Sequence, residues 1–132
     1  MIEAAAALRE SGIRQSVSII AGLGGEELWR EHMLETADAL NRMQPEFVGM
    51  LVLHAGNDSL MYQRILEGNF RLPSEPQVLK EMKLLLENLK LKNCYFTSAH
   101  ASNYVHVRGL LPRDREKLLR DVDRLIELNG KE

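Results

Sequence analysis

Cys94 is the only cysteine in this chain of 132 residues, and that single thiol sets the first limit on its chemistry. A disulfide needs two cysteines, and an all-protein Cys-rich metal site needs several, so neither can be assembled here. Cys94 lies inside the apolar run 93–97 and reads as a buried, inert thiol. His32 and Thr36 stand four apart on one helix face, but the motif His-Glu-x-x-His is missing, so helix packing is the better reading than zinc. His54 closes an apolar run, where a histidine is either structural or in contact with substrate. His100, Ser102 and Asn103 are three polar side chains in one loop-like stretch. They form either a substrate site or a loop whose Ser102 and Asn103 satisfy backbone groups. A Ser-His hydrolase is disfavoured, because no Gly-x-Ser-x-Gly elbow is present. Gly22-Leu23-Gly24-Gly25 leads from an apolar run into a helix. It cradles a ligand or simply makes a tight turn; it lacks the Lys-Ser/Thr of a P-loop and the full dinucleotide fingerprint.

The elements that must position these residues follow from periodicity. Residues 2–9 are rich in Ala, Leu and Glu and predict a helix. Residues 17–21 form a β-branched run that predicts a strand buried on both faces. A long helix is expected from about Glu26, with Trp29, Met33, Thr36, Ala37 and Leu40 on one stripe and two acids favoured by the helix dipole. Residues 47–53 predict a second strand, 60–66 a short helix, and 93–97 a third strand. Ser74 with Gln77 three residues on marks a helix start, and Val78, Leu79, Met82, Leu85, Leu86 and Leu89 give that helix its apolar face. Residues 100–111 show little periodicity and predict loop. A last helix is expected near Pro112, burying Leu118, Leu119, Val122, Leu125 and Ile126. The mixed-sign cluster 113–117 reads as its solvated face. Alternation of helix and strand over residues 1–56 predicts parallel β/α units. Residues 57–132 are expected to be a mainly helical extension of the same single domain, with one strand.

Composition bounds the function. Hydrophobic residues make up 45% and charged residues 27%, which suits a packed core. A formal net charge of -2 lacks the basic excess of nucleic-acid binders, so nucleic acid is disfavoured. No apolar run approaches the roughly 20 residues of a membrane helix, so no membrane association is expected. Residues 1–7 carry Glu3 and lack a basic flank, unlike a signal peptide. The expected compartment is the cytoplasm.

Two segments together resemble one family. Residues 18–26, Ser-Ile-Ile-Ala-Gly-Leu-Gly-Gly-Glu, are followed by His32 and Thr36. Residues 100–104, His-Ala-Ser-Asn-Tyr, are followed by Gly-Leu-Leu-Pro-Arg-Asp at 109–114. In this order they resemble the C-terminal portion of radical S-adenosylmethionine (radical SAM) proteins described as Fe–S oxidoreductases. The first motif is weak alone; the second is more specific. The resemblance implies a partial parallel β/α barrel, a fragment holding roughly the fifth and sixth strands plus a C-terminal helical extension. It implies S-adenosylmethionine and a [4Fe-4S] cluster in the intact parent. The cluster's Cys-x3-Cys-x2-Cys loop is absent from this sequence, and one cysteine cannot replace it.

By position, the resemblance places Ile20, Gly22, Leu23, Gly24, Leu51 and Leu53 against the adenine of the cofactor; His54, from its place at a strand end, and His100, Ser102 and Asn103, from their place in a polar loop, are the candidate substrate contacts. The resemblance implies no catalytic residue and no metal ligand here, and a chain inactive without the missing N-terminal barrel half. Exposed sheet edges of such a fragment predict a homo-oligomer through a strand edge or an apolar helix face. The alternative is a free-standing α/β binding or interaction module without chemistry.

Overall fold

The computed structural model describes residues 2–54, 59–99 and 106–130. In chain order the elements are α1 (Ile2–Glu10), β1 (Ser16–Ala21), α2 (Trp29–Met43), β2 (Phe47–Val52), α3 (Leu60–Leu66), α4 (Glu75–Asn88), β3 (Cys94–Thr97), β4 (Arg108–Leu111) and α5 (Arg115–Gly130). The protein is α/β, with a four-stranded mixed sheet in the order β1-β2-β3-β4. β1, β2 and β3 run parallel, whereas β4 is antiparallel to β3.

Side chains alternate across a strand, and here the alternation is resolved into one dry face. Ile19 and Ala21 of β1, Val48, Met50 and Val52 of β2, Cys94 and Phe96 of β3 and Leu111 of β4 point into the core. The helix layer above them is α2, α4 and α5, packed in that order. α4 is the central helix, and its Leu79, Met82, Leu85 and Leu86 are buried. Ser74 caps it as expected, its hydroxyl accepting from the Gln77 amide at 3.3 Å. α3 also matches its expected bounds, though none of its residues is buried.

Four expectations change. β1 is not covered on both sides: Ser16 and Ser18 are exposed while Ile19 and Ala21 are buried. The sequence run misleads because Ile20 is apolar although it lies on the open face. The start of α2 moves from Glu26 to Trp29, since residues 22–28 are spent in successive turns, with Gly25 N donating to Gly22 O and Leu28 N to Gly24 O. Residues 108–111 are a strand, not loop; four residues are too few to display a period. The described residues of the range 57–132 supply two strands rather than one.

The second face of the sheet carries Ser18 and Ile20 of β1, Phe47 and Leu51 of β2, Tyr95 of β3 and Leu110 of β4. Among the described residues no helix is layered on it, and Phe47 is 42% exposed. A parallel sheet normally has both faces covered. This one has a finished face and an open one.

Candidate functional site at the ends of β1 and β2

β1 and β2 finish level with each other. Ile20 is the register partner of Leu51, and Ala21 of Val52; the ladder runs one step further, with Leu53 N donating to Ala21 O at 3.0 Å. Ile20, Leu51 and Leu53 share the open face by parity, and all three are half-buried. Three of the sequence-predicted residues are therefore side by side at the carboxyl ends of parallel strands, where ligands meet α/β sheets.

The turn that follows β1 is held from below by α4. Gly22 is buried and adopts φ +97, and a Cβ there would lie 2.5 Å from the Pro73 ring. No other residue combines that conformation with that clearance. Its amide donates to the Glu81 carboxylate at 3.0 Å. Glu81 is fully buried. The Gln77 side-chain amide spends one hydrogen on Glu81 and the other on Gly25 O, each at 3.1 Å. Burial pushes the Glu81 carboxyl above its ordinary value; the hydrogen bonds from Gly22 and Gln77 and the nearby His32 oppose that rise. A carboxylate inside an apolar helix face costs free energy unless its oxygens are satisfied, and here both oxygens are. The sequence contains the signal: Glu81 interrupts the stripe of Val78, Leu79, Met82 and Leu85.

His32 does more than pack. Its Nε2 bonds Ile20 O at 3.1 Å, which ties α2 to the free edge of β1. Thr36 is one turn on, and together with Leu23, Ala39 and Met43 it lines a trough of about 250 Å³ between α2 and that edge. Ile20 lines that trough beside Leu23, while the remaining predicted residues scatter. Leu23 is 46% exposed. Gly24 lines a different hollow of about 260 Å³, near Arg71 and Glu26, which form an ion pair at 3.6 Å. His54 is exposed. His100, Ser102 and Asn103 lie outside the described residues.

The described residues contain no group of three His, Cys, Asp or Glu side chains able to hold a metal ion. Cys94 is buried, and burial pushes its thiol up to about 11, so it is neither a nucleophile nor a ready ligand. No described helix is long and apolar enough to cross a membrane. No family model, curated protein or solved structure matches the chain.

Proposed function

We propose that this chain is the C-terminal part of a radical SAM Fe–S oxidoreductase barrel and supplies the adenine-side wall of the S-adenosylmethionine site and part of the substrate pocket. The observation that supports this reading most is the grouping of Ile20, Leu51 and Leu53 on an uncovered sheet face beside the Gly22 turn. In a barrel the face opposite the helices is the interior, and the carboxyl ends of its strands form the mouth. An apolar patch next to a glycine-rich turn suits the plane of a purine. The Gly22 amide is committed to Glu81, so this wall would contact adenine by packing and by shape, with α4 fixing the turn.

A [4Fe-4S] cluster does not fit the donors of this chain, whose one thiol is buried and protonated at neutral pH. The cluster ligands would come from the N-terminal barrel half, paired along β1, and the reductive chemistry would be theirs. The residues here bind and orient; alone they are not catalytically competent.

The test is a backbone amide titration of the chain with S-adenosylmethionine by NMR. Weak shifts confined to residues 20–23 and 51–53 are expected. Tight saturable binding, or shifts elsewhere only, would overturn the reading. So would an upstream coding sequence with no Cys-x3-Cys-x2-Cys loop within about one domain length, ~150 residues.

A further inference from the structure

The turn after β1 is fastened at several points to one stretch of chain, residues 70–81. Pro73 fills the space a Gly22 Cβ would take, and the Phe70 ring lies 3.4 Å from where a Gly25 Cβ would stand. Arg71 pairs with Glu26 at the outer rim. The two inner ties are polar and share one carboxylate. Gly22 N donates to Glu81 Oε1 at 3.0 Å, and Gln77 Nε2 donates at 3.1 Å both to Glu81 Oε2 and to Gly25 O.

This group is balanced while Glu81 is ionised. The Gly22 N–H and both hydrogens of the Gln77 amide meet the two carboxylate oxygens and Gly25 O. A proton on Glu81 adds a further donor where each of those oxygens already accepts, and it faces donors rather than acceptors. Freedom to move decides which contact gives way. The Gly22 N–H belongs to a backbone held at φ +97 against the Pro73 ring. Gln77 is anchored by its own N–H on the Ser74 hydroxyl, but its terminal amide can turn over, because a glutamine χ3 is broad and two-fold. Rotation puts Gln77 Oε1 where Nε2 was, able to accept the new hydrogen from Glu81 Oε2. The same rotation sets Oε1 against Gly25 O, acceptor facing acceptor.

We propose that Glu81 and Gln77 form a proton-operated latch on this turn: the ionised carboxylate holds it at Gly22 and Gly25, and proton uptake by Glu81 turns the Gln77 amide over and releases the Gly25 carbonyl. Gly22 stays tied, and the loosened part is the lead into α2. Burial raises the Glu81 carboxyl above its ordinary value and so brings the release nearer neutrality. Among the described residues, His32 of α2 is the titratable group acting on Glu81 from a packed element; Arg71 and Glu26 pair with each other, and Lys83 of α4 pairs with Asp123 of α5. The latch is a property of the turn itself. Its consequence, pH control of the rim of the adenine wall, rests on the reading given under Proposed function.

The test is an NMR titration of the chain without ligand, from about pH 8 to about pH 4. The Gly25 carbonyl carbon and the Gln77 side-chain amide are expected to shift together, with the Glu81 carboxyl and with a midpoint above its ordinary 4.5. His32 is followed separately by its ring C–H signals. Glu81→Gln keeps the shape of the protonated acid, so its Gly25 carbonyl is expected to sit at the wild-type acid position at neutral pH and to stop titrating. Gln77→Met removes the link instead: Glu81 still titrates, and the Gly25 carbonyl no longer follows it. This second variant decides the matter even where Glu81→Gln does not fold. A Gly25 carbonyl that stays still while Glu81 titrates, one that still follows Glu81 in Gln77→Met, or a Glu81 carboxyl that keeps one state across the range would overturn the latch. Those outcomes leave the adenine wall standing, and a failed S-adenosylmethionine titration leaves the latch standing.

Discussion

The two edges of the sheet are built on opposite plans. At β4, both backbone groups of Leu110 are taken by one residue: the Leu110 amide donates to Asp114 Oδ2 at 2.8 Å, and Asp114 N donates back to Leu110 O at 2.7 Å. Gly109 makes this approach feasible, since a Cβ there would lie 2.9 Å from Asp114 Cβ. Arg113 closes over the same carboxylate at 3.0 Å. Among the described residues β1 has no such device: His32 bonds the Ile20 carbonyl, and no strand pairs along the outer side. Closure of β4 is local, made by residues four apart in sequence, whereas β1 has no equivalent among the described residues.

The largest expected effect bears on the end of β1. Glu81→Ala leaves the Gly22 amide buried without an acceptor and opens a small cavity, at a cost of about 3 kcal/mol, read from urea denaturation. Gly109→Ala attacks the closed edge. Displacing Asp114 should cost about 2 kcal/mol and speed hydrogen exchange at the Leu110 amide, while the exchange of β1 stays as it was. Should β1 amides change as well, the two edges are not independent.

The two carboxylates give opposite pH responses. Arg113 first, and the Leu110 amide second, hold Asp114 well below its ordinary 3.8, at about 2. A depressed acid stabilises the fold above its unfolded value, and that contribution is lost as pH falls from 3.8 toward 2. Burial raises Glu81 above 4.5. Its contribution is complete below 4.5 and is lost as pH rises through the folded value. Urea midpoints from acid to neutral pH should flatten at the acid end in Asp114→Asn and at the neutral end in Glu81→Gln. A profile unchanged in both variants would remove these groups from the account. The smallest effect is expected of His32→Ala, which frees Ile20 O and costs about 1 kcal/mol, read from urea denaturation.

Much of the scaffold was legible because it is local. The Ser74 cap, the α4 stripe and the bounds of α3 and β2 depend on neighbours within a turn or on alternation within one strand, and each lies at or within a residue of the expected place. β4 was hidden because Arg108-Gly109-Leu110-Leu111 is too short for a period and is a strand only by pairing with β3. The cluster 113–117 read as solvated, yet Asp114 is committed to Leu110; nothing in a mixed-sign run distinguishes a capping acid from a free one. Of the candidate site, the adjacency of Ile20 with Leu51 needed the β1–β2 register, and Glu81 was passed over as a charge because its partner, the Gly22 amide, is 59 residues away.

By itself the sequence determined which segments are helix or strand along most of the chain, the parallel β/α rhythm of its first part and the lack of thiolates for a cluster. Composition and short-range spacing suffice for these. Only the tertiary structure decided that β1 is an edge, that one sheet face is left open and that a buried carboxylate holds the glycine turn. Each of these depends on contacts between residues far apart in the chain, which no local pattern encodes.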